Sequence, residues 1–505
     1  MKKWLAMGLA LTMLLGMAVV SGTAVASEEP YQLIMYWEGN GDTDQRAIVE
    51  AAINEYIEPL IGANITFTII GWGDWVNKAI TSLQAGEKID LFFTADWNQY
   101  MRTVRQDLFM PLNDPNGPYG NLLELYGQDI LNSLSPSFIL GSQIDGINYA
   151  VPTNKELCVP VGWVYNVDAA AEVGFDVSTL EQPVKDLSVL EPYLAAYKEL
   201  YPDRYPFIGG DFDIDFVPNF ANGIDAVIGV LWDPLPDGSW DETIYIKPET
   251  EQYRRYCEIR YDWMQKGYTD PDSLLTSYQG GDFRNAGTFL FEPQPLKGYN
   301  LKGGELMNAS GNPDLKLDEF YGNSKVAQTQ DTGGSMFAIP VTSEDPVKAM
   351  KYLNLMHSDV WLVNTMLFGV EGTHWQFAED GRVEIMDGNQ WYGAHAGAWT
   401  VGDILLQYVT TKEDPEKNRL LMEYADDALS HFSLGFRFDQ TPVNDEIAAL
   451  TSIVDIYNTP LRRGGLDPAT GIPEYIEMLK EAGLDTVLAE VQAQFDAWKA
   501  AKAAN

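Results

Sequence analysis

The sequence has little cysteine, histidine or positive charge, and each shortage excludes a class of function. Two cysteines in 505 residues, Cys158 and Cys257, are too few for a four-cysteine zinc site or a disulfide framework. Four histidines leave little material for histidine-based metal or triad chemistry. The 33 basic residues stand against 73 acidic ones, and a formal net charge of -40 repels nucleic-acid phosphates and anionic lipids. We therefore expect no metal or other cofactor and no nucleic-acid or membrane-surface partner.

Long apolar runs are also lacking, except at the N-terminus. Two lysines there precede an apolar run from Leu5 to Val20, and the small residues of Thr23-Ala24-Val25-Ala26 follow it. This pattern is typical of a secretory signal peptide, here residues 1–26, that is cleaved before Ser27. No later stretch approaches the roughly 18 apolar residues of a transmembrane helix. Because no lipid-accepting cysteine follows the run, we expect an exported protein that is not a lipoprotein.

Strands and helices alternate after this segment. Tyr31–Tyr36, Ile65–Ile69 and Ile89–Phe93 have the pattern of strands, and helical stripes separate them, the first over Asp44–Ile57 and ended by Pro59. Strands separated by helices of this length form βαβ units. The pattern predicts an α/β fold with a mostly parallel sheet, and the length predicts two to four domains or one large two-lobed domain.

Each of the three predicted strands is followed by tryptophan beside polar residues. In open α/β sheets, ligands bind in the crevice outside the carboxyl ends of the strands. Flat aromatic faces suit the C–H faces of sugar rings, while carboxylates and amides suit their hydroxyls. Large aromatics are often core residues instead, so the interpretation depends on the three strand ends together. The residues are Trp37 and Glu38, Trp72 and Trp75, and Asp96, Trp97 and Asn98.

A second α/β lobe is expected in the middle of the chain, and it contains a short acidic motif. Asp211, Asp213 and Asp215 have the spacing that begins a calcium-binding loop. The sixth position is Phe216 and the twelfth is Asn222, where such a loop needs glycine and glutamate, so an EF-hand is excluded. The alternation with apolar residues instead indicates one polar face at a cleft.

Several motifs in the C-terminal half resemble those of one protein family. One is the Gly-Gly-x-x-x-Ala-Ile-Pro pattern of Gly333–Pro340. More specific are Gly369–Trp375, Leu434–Asp439, Pro442–Ile447, Glu481–Asp485 and Gln492–Trp498. With these motifs the chain resembles the family 1 extracellular solute-binding proteins of ABC transporters, and in particular the branch with a DUF3502 C-terminal region. The resemblance covers essentially the whole mature chain.

The resemblance implies a two-lobed, periplasmic-binding-protein-like α/β fold of class II type with a helical C-terminal region. The N-terminal lobe would comprise residues 27–153 and about 296–342. The C-terminal lobe would comprise residues 154–295 and about 343–505, with the helical region over about 360–505. Such proteins close on a ligand by hinge motion. The resemblance further implies a monomer that meets the transmembrane subunits of an ABC permease.

Candidate ligand-binding residues come from the strand ends and from the regions that match the family. Phe436 and Phe438 lie where the maltose-binding relatives place a stacking aromatic. Glycine near Gly334 would let ligand and backbone approach closely. The full set is Trp37, Glu38, Trp72, Asp96, Trp97, Lys155, Glu156, Trp163, Asp211, Gly334, Trp375, Phe436 and Phe438.

Three functions are compatible with these residues and motifs. The leading one is a binding protein, not an enzyme, that delivers a solute, an oligosaccharide by preference, to an ABC importer. The second is the same fold with a peptide or another non-sugar solute. The third is a secreted glycosidase, which needs two suitably separated carboxylates. Among 73 acidic residues such pairs arise by chance, and the sequence contains no nucleophile-elbow, zinc-protease or Walker motif.

Overall fold

The computed structural model describes residues 29–210, 212–275, 280–296, 312, 314–424 and 428–504. The predicted signal peptide, residues 1–26, and Asp211 lie outside the described residues. Within these ranges, no helix combines the length and the apolar character needed to cross a membrane.

The strands form two main sheets and several short ladders. They are β1 (Tyr31–Gly39), β2 (Ala63–Gly71), β3 (Leu91–Thr94), β4 (Gln143–Ile144), β5 (Ile147–Asn148), β6 (Ala150–Pro152), β7 (Val161–Asn166), β8 (Ile228–Gly229), β9 (Tyr245–Ile246), β10 (Phe291–Pro295), β11 (Leu317–Tyr321), β12 (Val326–Ala327), β13 (Met336–Ala338), β14 (Trp375–Phe377), β15 (Val383–Ile385) and β16 (Leu429–Ser430).

The α-helices connect these strands and dominate the C-terminal region. They are α1 (Arg46–Ile61), α2 (Thr81–Gln84), α3 (Tyr100–Arg105), α4 (Leu122–Tyr126), α5 (Gln128–Ser133), α6 (Pro136–Gly141), α7 (Val167–Glu172), α8 (Glu191–Leu200), α9 (Glu251–Gln265), α10 (Gly280–Ala286), α11 (Thr329–Gly333), α12 (Pro346–Met356), α13 (Val360–Phe368), α14 (Lys417–Tyr424), α15 (Asn444–Arg462), α16 (Pro468–Glu481) and α17 (Leu484–Ala504).

The first lobe is built on a five-stranded sheet of order β2-β1-β3-β13-β6. β1 runs parallel to both β2 and β3, which confirms the parallel arrangement predicted for the first three strands. β13 is antiparallel to its neighbours β3 and β6, so the complete sheet is mixed. Because the parallel strands leave the sheet at the same edge, the segments after β1, β2 and β3 lie close together there.

The first helix continues beyond its predicted end. Pro59 was expected to stop it, but α1 extends to Ile61 and ends at Gly62, whose φ of 65° is the left-handed conformation that glycine adopts most easily. Burial of Ile57 and Ile61 against the sheet keeps this last turn in place.

The second lobe has a smaller sheet and a helical layer. β7 lies between β10 and β11 and is antiparallel to both. The C-terminal helices α15, α16 and α17 pack around a separate apolar core with residues such as Leu450, Tyr475 and Phe495. These three helices therefore dock on the body of this lobe through their apolar faces.

One stretch packs differently from the predicted division into lobes. Residues from about 343 onward were assigned to the C-terminal lobe, yet α12, α13 and the following segment to Val401 bury side chains in the core of the first sheet. The reason is that these helices carry apolar faces, including Leu353 and Val363, that cover this sheet. The other lobe boundaries stay predictions.

Three chain segments cross between the lobes side by side. The Thr153 N–H donates to the Ser335 carbonyl at 2.9 Å, and the Asn154 N–H donates to the Gly402 carbonyl at 2.8 Å. Ile404 N–H in turn donates to the Asn154 carbonyl at 3.0 Å. These bonds hold the three segments together next to the sheet edge where β1 and β3 end.

Candidate functional site

Three tryptophans form an aromatic surface at the carboxyl edge of the first sheet. Trp72 and Trp97, which follow β2 and β3, are 42% and 44% exposed, and Trp399 is half-buried beside them. Each pair of these rings has a centroid separation of 6.2 Å, and Trp72 and Trp399 are nearly parallel at 16°. Phe93 packs against Trp97 and Trp399. We call Trp72, Trp97 and Trp399 the tryptophan platform.

Hydrogen bonds fix the orientation of the two exposed rings. Trp97 Nε1 donates to the Gly334 carbonyl at 2.8 Å, and Trp72 Nε1 donates to Asn40 Oδ1 at 3.0 Å. Gly334 thus contributes through its backbone, as a support for Trp97. Exposed aromatic faces that are held in this way lose little conformational freedom on binding, which favours affinity.

A buried carboxyl group lies at the end of β1. Glu38 is 3% exposed, and its Oε2 accepts a hydrogen bond of 2.6 Å from Asn98 Nδ2. Burial raises the pKa of Glu38 to about 8, so the side chain is protonated at neutral pH. The pair therefore places an uncharged carboxyl and an amide, rather than a second negative charge, at the sheet edge that bears the platform.

Asp96 makes the main charged contact between the sheet edge and the C-terminal region. Its two oxygens accept bonds of 2.9 and 2.7 Å from Nε and Nη2 of Arg437. Arg437 also donates to the carbonyls of Gly141 and Gln143. Gly333 permits this arrangement, because a Cβ atom there would lie 2.0 Å from Asp96 Oδ2. Asp96 is therefore occupied by the protein itself and is a structural partner of Arg437.

A second polar group lies at the crossing segments. Lys155 Nζ is 3.1 Å from Glu156 Oε1, and both side chains are largely buried. Asp331 caps α11 by accepting from the Gln328 N–H at 2.9 Å, and burial raises the pKa of Asp331 to about 8. Lys155 also lies beside Gly334, whose carbonyl accepts the hydrogen bond from Trp97. The predicted residues Lys155 and Glu156 are therefore close to the tryptophan platform.

Three predicted tryptophans are core residues rather than site residues. Trp37 is fully buried, donates to Thr400 Oγ1 at 3.0 Å and stacks on His395 at 4.4 Å. Trp163 is buried against Phe320, and Trp375 is buried with its Nε1 bonded to the Gly369 carbonyl. Each large ring fills the interior of its own lobe, which is the commoner use of tryptophan.

The two phenylalanines and the acidic motif also differ from expectation. Phe436 is buried in the core of the C-terminal helices against Phe495, and Phe438 is 1% exposed, with one edge at a cavity. Neither presents an open stacking face. Asp213, which was expected on a polar face at the cleft, instead forms a 3.0 Å ion pair with Lys247, while Asp211 is not among the described residues.

A cavity of about 680 Å³ lies between α3 and the segment 438–444, and it was not predicted from the sequence. Trp97, one of the three rings of the tryptophan platform, also lines the cavity. Of its twelve other described lining residues, six are uncharged and polar, four are charged and two are apolar. Those with amide or hydroxyl groups are Gln99, Gln106, Asn222, Gln440, Thr441 and Asn444.

Sequence reasoning also missed Trp399. It lies about 300 residues after Trp97 along the chain, in an irregular segment rather than at a strand end, so no periodic pattern indicates its position. The sequence signal that remains is a tryptophan in a stretch of small residues, Gly393–Thr400, which folds back onto the first sheet.

The chain is similar to known proteins over most of its length. The family described as "Bacterial extracellular solute-binding protein" matches residues 42–361, and a domain of unknown function, DUF3502, matches residues 432–500. A relative from Streptococcus pneumoniae serotype 4 (strain ATCC BAA-334 / TIGR4), named "Carbohydrate ABC transporter substrate-binding protein", is 28% identical over 458 residues, which span 88% of this chain and 87% of the relative.

Solved structures share the fold at lower identity. The N-glycan transport solute binding protein NgtS from Streptococcus pneumoniae matches with a TM-score of 0.80 and 24% identity, over 92% of this chain and 98% of that one. The alginate-binding protein AlgQ2 matches with a TM-score of 0.60 and 17% identity, over 93% and 98%. NgtS has also been solved in complex with Man1GlcNAc and with Man5GlcNAc. These likenesses confirm the two-lobed architecture.

Proposed function

The chain belongs to the bacterial extracellular solute-binding protein family, and from this premise we propose that it captures an oligosaccharide between its two lobes for an ABC importer. The tryptophan platform is the observation that carries the proposal. Exposed, oriented aromatic rings beside neutral hydrogen-bonding groups match a ligand with apolar ring faces and many hydroxyls. The names of the pneumococcal relative and of NgtS, which concern carbohydrate and N-glycan, support the same class of ligand.

The wider biological role follows from the family and the N-terminal sequence. We infer that the protein is exported by its signal peptide, acts as a monomer outside the cytoplasm, and passes its ligand to the transmembrane subunits of a permease. It returns the sugar chemically intact, since a solute-binding protein has no catalytic step.

A melting-temperature screen against a glycan library tests the proposed ligand class. A ligand that binds only the folded state stabilises it, and the stabilisation grows with the logarithm of the ratio of ligand concentration to dissociation constant. The melting temperature rises accordingly. We expect a rise with one class of oligosaccharide and none with peptides or free amino acids. Stabilisation by peptides alone would instead support the second candidate function.

The same screen needs a matched pair of variants. Trp97→Ala removes a ring of the platform, whereas Trp361→Ala removes a similarly exposed tryptophan (40%) on α13, where it packs against Tyr56. Loss of the ligand-induced rise in the first variant, with its retention in the second, would place binding at the platform. An equal response in both variants would place it elsewhere.

A further inference from the structure

We propose that the segment 439–444, within the region matched by the domain of unknown function, forms one wall of a second sugar subsite. This proposal deepens the proposed function and rests on it. The subsite is the cavity of about 680 Å³ between this segment and α3. The platform and the cavity share Trp97, so a ligand stacked on that ring would lie next to the cavity.

The side chains of the cavity suit hydroxyl-rich units. The two carboxylates among its described lining residues are already paired, Asp96 with Arg437 and Asp439 with Arg105 at 3.2 Å. The amide and hydroxyl side chains named above both donate and accept hydrogen bonds, as sugar hydroxyls do. Arg102 contributes additional donors, since its Nη1 makes a long contact of 3.3 Å to Gln99 Oε1.

The wall is held in place before any ligand arrives. The Asp439 N–H donates to Gln494 Oε1 at 2.8 Å, and Gln494 Nε2 returns a bond of 2.8 Å to the Asp439 carbonyl, which ties the segment to α17. Gln440 packs on Gly223, where a Cβ would lie 2.4 Å from its Oε1. A preorganised wall loses little entropy on binding, which is a property of a binding surface rather than of a passive linker.

The geometry has a consequence for ligand length. A short saccharide covers the platform alone, whereas a longer one adds contacts in the cavity. Two hydrogen bonds of typical net strength there would make the longer member bind roughly 30-fold more tightly. The region of unknown function would thus select for the length of the oligosaccharide and not for the identity of the stacked sugar.

A cavity-blocking variant tests this inference. Asn444→Trp places a large ring at the wall from an exposed helix-start position, and Ala449→Trp adds the same ring at an exposed position on the same helix that does not line the cavity. Unchanged melting temperatures without sugar establish that both variants fold. The probes are Man1GlcNAc and Man5GlcNAc together with short and long members of the malto-, xylo- and manno-oligosaccharide series, measured by calorimetry.

We expect the wild type and Ala449→Trp to bind the long member of one series more tightly than the short one. Asn444→Trp should lose this preference and bind both like the short member. If Asn444→Trp retains the preference, or weakens short and long members equally, the subsite is overturned while the proposed function stands. If no probe binds the wild type, the proposed function and the subsite are both overturned.

Discussion

Trp97→Ala tests whether Trp97 is a binding residue or only a structural one. A binding residue lowers the free energy of ligand binding when it is removed, whereas a structural residue lowers only the free energy of unfolding. Full truncation of a buried tryptophan costs about 3–5 kcal/mol of folding free energy. Trp97 is 44% exposed, so a little over half of that contact is lost, together with one hydrogen bond to the Gly334 carbonyl. We expect the unfolding free energy to fall by about 3 kcal/mol. Removal of a stacking anchor should cost about 2 kcal/mol or more of binding free energy, which is roughly 30-fold in affinity.

The assay combines a urea melt with calorimetric titration of the oligosaccharide identified in the glycan screen. Trp361→Ala serves as the control, since it should lower the urea midpoint to a similar extent and leave affinity unchanged. Trp37→Ala should leave affinity unchanged. It should lower the unfolding free energy by about 3–5 kcal/mol, because this ring is fully buried. Unchanged affinity in Trp97→Ala would refute the platform and with it the assignment of the binding site.

Four further predictions concern other parts of the same account. Trp399→Ala should weaken oligosaccharide binding by roughly tenfold in calorimetry, because Trp399 completes the platform; an unaltered dissociation constant would remove it from the site. Arg437→Met should lower the unfolding free energy in urea by about 3–5 kcal/mol by leaving buried Asp96 unpaired, and a loss below about 1 kcal/mol would contradict the pairing. Burial holds the pKa of Glu38 at about 8 when folded against an ordinary value of 4.5, so its stabilising contribution is complete below about pH 4.5 and is lost as pH rises to about 8. The melting temperature of the wild type should therefore fall relative to that of Glu38→Gln between about pH 5 and pH 8, whereas parallel profiles would show that Glu38 titrates normally. Finally, saturating oligosaccharide should reduce the radius of gyration in small-angle scattering as the lobes close, and an unchanged radius would indicate a rigid site.

The first lobe could be predicted from local sequence patterns. Three strands with helices between them have a periodicity that depends on neighbouring residues only, and the parallel β1, β2 and β3 confirm it. The path of the chain after residue 343 could not be predicted in this way. The helices α12 and α13 have apolar faces that would suit either lobe, and long-range packing places them on the first sheet.

Only part of the site could be predicted, because local patterns do not show which side chains point outward or which distant segments meet. A strand end indicates that Trp37, Trp72 and Trp97 lie at one edge of the sheet, but it does not indicate which rings point outward. Trp37 is the last but two residue of β1 and is covered by the Gly393–Thr400 segment, while Trp72 and Trp97 follow their strands and stay exposed. Trp399 and the cavity wall at 439–444 arise from distant chain segments, so local patterns carry no information about them.

The most direct test of the central claim is an equilibrium titration of the mature protein with the oligosaccharide that gives the largest stabilisation, followed by analysis of the recovered sugar. We expect one oligosaccharide bound per chain and complete recovery of that sugar at its original length after prolonged incubation. Absence of binding, or the appearance of shorter products, would contradict the conclusion that this chain is an oligosaccharide-binding protein of an importer.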